Sequence, residues 1–177
     1  MVGIWLVGKP ADIITWIAYR DDPHVPSNAT LELTVNSKLL LRTCYANNEA
    51  GEEKLIAKIE KSASNARMLD SGNLVLYNEH SNVIWESFNF PTDRILGGQN
   101  LYAGGELLSS ASTTNFSVGS FHLIMQYDGN LVLYPIATLD TLVDAYWDTS
   151  TSGSSSTHLY LNYTGELLIL NNSFRLH

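Results

Sequence analysis

Midway through its second half the chain reads Gln126-Tyr-Asp128-Gly-Asn130-Leu-Val132-Leu-Tyr134, in which two kinds of side chain alternate with period two. Successive side chains of a β-strand point to opposite faces of the sheet. One face would therefore carry the amides, the carboxylate, the valine and the phenol, while Leu131 and Leu133 would be left for a core. The stretch predicts strand structure with one apolar face and one functional face.

The functional face has the chemistry that a hexose requires. Amide and carboxylate groups can bind adjacent sugar hydroxyls in pairs, because each hydroxyl both donates and accepts a hydrogen bond. Val132 can cover the apolar C–H side of the ring, and Tyr134 adds a phenol. No nucleophile or metal is needed. The alternative is that Asp128-Gly129 is only a hairpin turn with polar, water-facing neighbours, and a turn is compatible with a site.

The complete spelling Q-x-D-x-N-x-V-x-Y resembles the mannose-binding motif of the bulb-type (monocot mannose-binding) lectins. The resemblance implies a shallow, water-facing carbohydrate site. Gln126, Asp128 and Asn130 would bind hydroxyls on one edge of mannose, Tyr134 a hydroxyl further round, and Val132 the ring carbons. Replacing Asp128 or Asn130 by alanine is then expected to abolish mannose retention without unfolding the protein.

Three degenerate copies of this element indicate an internal repeat. Residues 69–77 keep Asn73, Val75 and Tyr77, which form a degenerate second site. Residues 34–42 and 162–170 keep the apolar alternation and a turn but lose nearly all the specific polar groups. The equivalent positions are separated by intervals of 35, 57 and 36 residues, counted from Lys38 to Asn73, Asn130 and Glu166.

Tryptophans recur beside the repeats, in the phrases Thr15-Trp-Ile-Ala, Ile84-Trp-Glu-Ser and Tyr146-Trp-Asp-Thr. A tryptophan at each strand end can fill the centre of a small all-β unit while its indole N–H finds a carbonyl. Trp16, Trp85 and Trp147 are therefore predicted to be core rings. The alternative role is a platform on which a sugar stacks.

Longer phrases at residues 16–23, 68–77 and 85–93 resemble the ectodomain of plant G-type lectin S-receptor-like serine/threonine kinases. The resemblance covers nearly the whole chain. It implies an all-β fold of the β-prism II type, in which three pseudo-equivalent four-stranded sheets form each bulb-type lectin domain and two domains stand in tandem. The kinase domain of that family would lie elsewhere in a longer protein.

By this resemblance the chain contains two incomplete prisms in tandem. Residues 1–91 would be the first lectin domain without its first repeat, residues 92–114 the inter-domain connection, and residues 115–177 the second domain without its third repeat. A prism that lacks one sheet exposes its core. The chain is therefore expected to be a fragment, or its halves close on each other or on another chain.

Composition supports the all-β prediction. The 177 residues are 45% hydrophobic and 16% charged, as in an ordinary globular protein. Turn residues punctuate short apolar runs, as in all-β folds. Residues 52–60 could form two turns of helix, but a strand or loop is expected because the related family has a strand there. The runs are Leu31–Val35, Leu39–Leu41, Leu74–Tyr77, Leu131–Tyr134 and Leu167–Leu170.

Charge and hydropathy exclude two classes of partner. The net charge is −8, and the ten Lys and Arg residues are scattered, so a nucleic-acid partner is not expected. No apolar run approaches the roughly 18 residues of a membrane span. The first seven residues have no basic start and no cleavage pattern, so no signal peptide is visible.

Four N-glycosylation sequons begin at Asn28, Asn115, Asn162 and Asn171, and they favour a secreted ancestor. The expected location is the extracellular face of the plasma membrane, as part of a longer receptor, or the secreted fraction. A glycan on Asn162 would obstruct the fourth motif copy. Cys44 is the only cysteine, so no internal disulfide can form, and it is expected to pack in a strand.

An enzymatic function is not expected. The best case is a glycosidase built from two of the acids Glu86, Asp93, Asp128 and Asp148, but nothing in the sequence sets the spacing of a pair. The five histidines show no metal-ligand spacing, and neither a Ser/His/Asp signature nor a phosphate-binding glycine loop is present. No cofactor is predicted.

Two functions remain open. The first is a carbohydrate-binding module whose partner is a mannose-type glycan or glycoprotein. The second is a degenerate lectin fold that acts in receptor dimerisation or protein-ligand interaction, as a homo-oligomer or with a co-receptor, without sugar binding. A truncated product without stable function would instead expose edge strands and aggregate.

Overall fold

A computed structural model describes residues 2–8, 13–34, 38–43, 51–57, 59, 61–154, 156–171 and 174–176. These residues form strands and turns, with one short 3₁₀ helix at Ser87–Asn89. The all-β prediction is confirmed. The strands are β1 (Val2–Leu6), β2 (Ile13–Ala18), β3 (Thr30–Leu33), β4 (Leu39–Arg42), β5 (Glu53–Ala57), β6 (Asn65–Met68), β7 (Leu74–Tyr77), β8 (Val83–Glu86), β9 (Gln99–Leu101), β10 (Glu106–Ser110), β11 (Val118–Met125), β12 (Leu131–Pro135), β13 (Trp147–Asp148), β14 (Thr157–Leu161), β15 (Leu167–Asn171) and β16 (Phe174–Leu176).

The chain divides into two compact units, Met1–Ser87 and Phe88–His177. In the first unit the sheets have the strand orders β1-β2, β3-β4-β5 and β6-β7-β8. In the second unit the orders are β10-β11-β12-β13 and β16-β15-β14-β9. Every pairing is antiparallel, and each motif copy supplies a hairpin within one of the sheets.

All three sheets of the first unit contribute side chains to one core. The rings of Trp16 and Trp85 meet edge to face at 6.1 Å between centroids, which confirms both as core rings. The β1-β2 sheet contains no motif copy, so the repeat pattern could not reveal it. The buried members of the core are Ile4, Trp16, Ala18, Leu39, Ala57, Leu76 and Trp85.

The prediction of a core ring was wrong for Trp147, whose surface is 50% exposed. Trp147 lies on β13, a strand of two residues at the edge of its sheet. Its partner Leu133 is half-buried, so burial decreases toward this edge. Trp85 also lies on an edge strand, but its ring packs against Trp16 of another sheet, whereas Trp147 is not part of the core cluster of the second unit.

The core of the second unit lies between its two sheets. Met125 and Leu131 come from the sheet that carries the intact motif, and they pack with Leu101, Leu159 and Ile169 from the other sheet. Leu131 is buried, as the period-two pattern predicted, whereas Leu133 is half-buried and is less buried than Val132 and Tyr134 on the opposite face. Burial of these leucines holds β12 in the register that sends the motif residues to the opposite face.

Two segments that lacked a clear pattern form strands. Residues 53–57 are β5, which confirms strand rather than helix in that region. The segment 92–114, expected to connect the domains, contains β9 and β10, and both pair within the second unit. The assignment of the two units as tandem incomplete prisms stays a prediction. Cys44 and residues 35–37 of the first motif copy lie outside the described residues.

Candidate functional site

The intact motif forms a hairpin whose turn connects β11 to β12. The amide of Gln126 donates to the carbonyl of Asn130 at 2.8 Å, and the amide of Gly129 donates to the carbonyl of Gln126 at 3.1 Å. Oδ1 of Asp128 accepts the Asn130 amide at 3.0 Å. Gly129 has φ of +92°, a conformation that other residues adopt only with strain. The predicted turn is therefore present, and it is built from the motif's own residues.

The same backbone pattern recurs in the other motif copies. The first residue of each turn donates to the carbonyl four positions later, from Thr34 to Lys38, from Leu69 to Asn73 and from Asn162 to Glu166, at 2.9 to 3.0 Å. Gly72 and Gly165 also have positive φ. The repeat that the sequence predicted is thus a repeat of hairpin geometry, although the specific polar side chains differ.

Antiparallel pairing places the motif residues beside side chains from neighbouring strands. Val132 lies opposite both Ile124 and Asp148, and Tyr134 lies opposite His122. Residues directly opposite each other share one face of the sheet. Nε2 of Gln126 donates to the Tyr134 hydroxyl at 3.0 Å, which fixes the orientation of the Gln126 amide.

Exposure varies sharply along the five motif residues. Asp128 is exposed and Gln126 is half-buried, whereas Asn130, Val132 and Tyr134 are 5%, 1% and 1% exposed. The expected water-facing surface is therefore limited to Gln126 and Asp128. Oε1 of Gln126 and Oδ2 of Asp128 receive no hydrogen bond within the described part of the chain. These two oxygens can accept bonds from ligand hydroxyls.

Asn130 is occupied by contacts within the protein. Its Nδ2 donates to Asp148 at 3.3 Å, and its Oδ1 accepts the Thr149 hydroxyl at 3.0 Å and the Thr151 amide at 3.2 Å. The Thr149 hydroxyl oxygen in turn accepts the Leu131 amide at 3.0 Å. This group, the Asn130 clamp, joins the end of β13 to the start of β12. Asn130 therefore positions the hairpin.

The degenerate motif copy has the same clamp. Nδ2 of Asn73 donates to Glu86 at 2.7 Å, and the Ser87 hydroxyl donates to Oδ1 of Asn73 at 3.1 Å. The Ser87 oxygen accepts the Leu74 amide at 2.9 Å. Val75 is 1% exposed, and the Arg67 guanidinium lies 5.8 Å from the centre of the Tyr77 ring.

Sequence reasoning missed the partners of these asparagines, although the signal was present. Each tryptophan is followed directly by an acid and a hydroxyl residue that bind the asparagine of a clamp. They are Glu86 and Ser87 after Trp85, and Asp148 and Thr149 after Trp147. A search for acid-hydroxyl pairs after each recurring tryptophan would have found them.

Two of the four acids considered for a glycosidase, Glu86 and Asp148, accept hydrogen bonds from the asparagines of the two clamps. Asp93 pairs with the Arg94 guanidinium at 2.8 Å and accepts the Ser110 hydroxyl at 2.6 Å. Among the described residues, no group of three or more His, Cys, Asp or Glu is arranged to hold a metal ion. Glu86, Asp93 and Asp148 thus have structural hydrogen-bonding roles.

The hydrogen bonds of Asp148 predict how the free energy of unfolding depends on pH. Hydrogen bonds from the Ser150 hydroxyl, the Ser150 amide and Asn130 lower the pKa of Asp148 below its ordinary value of 3.8. A carboxyl whose pKa is lower in the folded state stabilises the fold above the unfolded-state pKa and loses that contribution as the pH falls through the folded-state pKa. Asp148→Asn is expected to lower the free energy of unfolding at pH 7, and the difference from wild type should shrink below about pH 4.

Urea unfolding at pH 7 and pH 3 checks this expectation. Asp70→Asn serves as the control, because Asp70 is exposed in the turn of the degenerate motif copy. An Asp148→Asn deficit of equal size at both pH values would show that the charge of Asp148 contributes nothing.

The glycosylation candidates differ in accessibility. Asn28 and Asn115 are exposed. Asn162 is half-buried and donates to Glu166 at 2.6 Å, and Asn171 donates to the Ser154 hydroxyl at 2.7 Å. Residues 172–173 of the fourth sequon lie outside the described residues. Occupancy of all four stays a prediction.

Within the described residues, no helix has the length and apolarity to cross a membrane. Comparison with protein families gives a match to the model described as D-mannose binding lectin, over residues 13–107. This match covers more than half of the chain and includes the degenerate copy at residues 69–77. It ends before the intact motif.

Curated relatives are plant receptor kinases. A G-type lectin S-receptor-like serine/threonine-protein kinase of Arabidopsis thaliana is 32% identical over 97% of this chain and 22% of its own length. One from Oryza sativa subsp. indica is 44% identical over 58% of this chain and 13% of its own length. The chain thus spans about a fifth or less of these relatives.

Solved structures with some similarity are plant lectins. A monomeric monocot mannose-binding lectin from Gastrodia elata is 23% identical with a TM-score of 0.26, over 62% of this chain and 74% of that one. The fetuin-binding agglutinin of Scilla campanulata, a two-domain lectin, is 18% identical with a TM-score of 0.29, over 85% and 75% of the two chains.

Proposed function

Because the chain belongs to the D-mannose binding lectin family, we propose that its second unit binds a mannose-type glycan through the hairpin that carries Gln126 and Asp128. The observation that supports this most directly is the pair of available oxygens at the open end of the motif. Oε1 of Gln126 and Oδ2 of Asp128 can accept hydrogen bonds from neighbouring hydroxyls of one sugar ring. A charged acceptor makes the stronger of the two bonds.

The remaining motif residues would act by positioning these two groups. Tyr134 accepts from the Gln126 amide and so fixes the orientation of Oε1. The Asn130 clamp fixes the strand that follows the turn. Val132 is buried and supports the face from within. Because only two side chains offer open contacts, a monosaccharide is expected to bind in the millimolar range, at about −4 kcal/mol.

We also propose that the chain serves in the extracellular part of a longer receptor, or as a secreted protein, where its partner is a glycan or glycoprotein. The similarity to receptor kinases over most of the chain supports this proposal. Weak binding at one site would require clustered receptors or multivalent glycans for useful avidity. Two exposed sequons, at Asn28 and Asn115, are compatible with a secreted protein.

Titration of ¹⁵N-labelled protein with methyl α-mannoside tests the binding proposal by NMR. Saturable shifts are expected in the amides from Gln126 to Tyr134. Asp128→Ala should weaken binding by about tenfold or more, because a hydrogen bond to a charged group contributes roughly 1.5–3 kcal/mol. Asp128→Asn keeps an oxygen that can accept the Asn130 amide, so it separates loss of charge from loss of the turn.

Asp70→Ala is the matched control, since it removes an exposed carboxylate from the equivalent hairpin turn of the degenerate copy. Its binding should equal that of wild type. A well-dispersed wild-type spectrum that does not change with mannoside would contradict the proposal. That result would favour the alternative function, an interaction module that has kept the fold without the sugar site.

A further inference from the structure

The face that carries the motif continues past Tyr134 into a cavity. Its volume is about 350 Å³, and its lining includes Glu106, Leu108, His122, Ile136, Thr138 and Asp140. Tyr134 and His122 lie on neighbouring strands with ring centroids 5.7 Å apart. Ile136 follows Tyr134 by two residues, about 6.6 Å along an extended chain. The cavity therefore begins one step beyond the last residue of the motif.

A longer connection between strands builds one wall of this cavity. Trp85 follows its strand partner Leu76 by nine positions, whereas Trp147 follows its partner Leu133 by fourteen. The additional residues of the second unit bring Asp140 back to the sheet, where its Oδ1 lies 3.1 Å from Nε2 of His122. The degenerate copy in the first unit has a shorter connection at this place.

The connection holds a defined and strained conformation. Ala137 and Asp140 have φ of +71° and +54°, a conformation that is strained in residues other than glycine. The Thr138 hydroxyl donates to the carbonyl of Pro135 at 2.9 Å, within the same turn. Strain of this kind persists only where the surrounding contacts impose it, and it is common at ligand sites.

The polar groups of the cavity suit hydroxyl-rich ligands. His122 is buried between two carboxylates, with Nδ1 at 3.0 Å from Oε2 of Glu106 and Nε2 at 3.1 Å from Asp140. The side chains of Glu106 and Asp140 are 46% and 42% exposed. Oε1 of Glu106 and Oδ2 of Asp140 receive no hydrogen bond from the described residues, so both can accept from a ligand hydroxyl.

The apolar lining completes a surface for a sugar ring. Leu108 and Ile136 can pack against ring C–H groups while the carboxylates bind hydroxyls. Two carboxylates around one histidine make the cavity unfavourable for an acidic sugar, because like charges repel at short distance. Neutral and acidic sugars are thereby distinguished.

We propose that this cavity is a second carbohydrate subsite, which takes a neutral sugar residue linked to the one bound at Gln126 and Asp128. The proposal rests on the proposed function, since the two sugars belong to one glycan. The natural ligand is then an oligosaccharide, and the added connection at residues 136–146 provides selectivity for it. A uronic acid as the second residue is excluded.

The test compares methyl α-mannoside with α1,2-, α1,3- and α1,6-mannobiose by NMR titration. At least one mannobiose is expected to bind about tenfold more tightly than the monosaccharide, and to shift the imidazole ¹H–¹⁵N signals of His122. A disaccharide whose second residue is a uronic acid should bind no more tightly than the monosaccharide. The His122 shift needs no substitution, so it stays informative if a variant fails to fold.

Two variants test whether the higher affinity for mannobiose depends on the cavity. Glu106→Gln and Asp140→Asn keep the side-chain shapes but remove the charges, and both should return mannobiose affinity to the monosaccharide level without changing methyl α-mannoside affinity. Glu79→Gln is the control, because Glu79 is 82% exposed in the first unit. Asp128→Ala should weaken both ligands.

The outcomes separate the two proposals. If methyl α-mannoside binds and depends on Asp128, but no mannobiose binds more tightly or shifts His122, the subsite is wrong and the proposed function stands. If neither the monosaccharide nor any mannobiose binds, the proposed function fails and the subsite fails with it.

Discussion

Asn130→Ala is expected to lower the free energy of unfolding of the second unit by about 3 kcal/mol. The substitution leaves the Thr149 hydroxyl, the Thr151 amide and Asp148 without the partner they have in the Asn130 clamp. A buried polar group that loses its partner costs roughly 1–3 kcal/mol. Asn130 is 5% exposed, so water cannot readily replace the lost amide.

The measurement is native-state hydrogen exchange at Leu131 and its neighbours, which reports on the second unit alone. Asn73→Ala should produce a loss of similar size in the first unit, because Asn73 has the matching contacts with Glu86 and Ser87. Asn65→Ala, at an exposed strand residue, should change little. A loss below about 0.5 kcal/mol for Asn130→Ala would mean that the clamp does not stabilise the unit.

This prediction differs from the sequence-based expectation that Asn130→Ala would remove sugar binding and leave the fold intact, because the Asn130 amide has partners within the protein. Binding should indeed be lost, but through displacement of the hairpin. Loss of binding in Asn130→Ala therefore says nothing about a direct contact with sugar. Asp128 is the better probe, because its side chain is exposed and a conservative variant can keep its hydrogen bond to the Asn130 amide.

Gly129→Ala is expected to be at least as damaging, with a loss of about 3 kcal/mol or more. Two effects add at this position. The residue has φ of +92°, which costs an L-residue roughly 1–2 kcal/mol. An added Cβ would also lie 2.3 Å from the carbonyl oxygen of Ser154 and 2.9 Å from Oγ1 of Thr157, so backbone would have to move. Because the turn carries Asp128, mannoside binding should be lost together with stability.

Gly165→Ala separates the two effects. Gly165 occupies the same position in the turn of the fourth motif copy, with φ of +87°, but an added Cβ there would meet nothing within 4 Å. It should cost only about 1 kcal/mol. Urea unfolding and amide exchange of the second unit provide both values. Equal losses for the two variants would show that steric contact with Ser154 contributes nothing.

Much of the fold could be predicted because it depends on local pattern. Period-two alternation in residues 131–134 and 74–77 identifies strands, and both segments form β-strands, with Leu131 and Leu76 buried. The β1-β2 sheet was not expected, since its sequence contains none of the polar residues of the motif at the motif's spacing. The sequence around Trp147 predicts a core ring, but burial of such a ring depends on side chains from other strands, as the contact of Trp16 with Trp85 shows.

For the candidate site, too, some features follow from local sequence and others from tertiary contacts. The turn at Gly129 and the face shared by Gln126 to Tyr134 follow from the chain alone, because strand period and glycine conformation are properties of a few consecutive residues. The enclosure of Asn130 by Asp148 and Thr149 and the approach of Asp140 to His122 depend on contacts between residues 18 to 21 positions apart. The exposure of the other motif residues is set by such contacts as well. Burial and hydrogen-bond partners at such separations are set by how strands pair and how connections return to the sheet, so only the tertiary structure decided them.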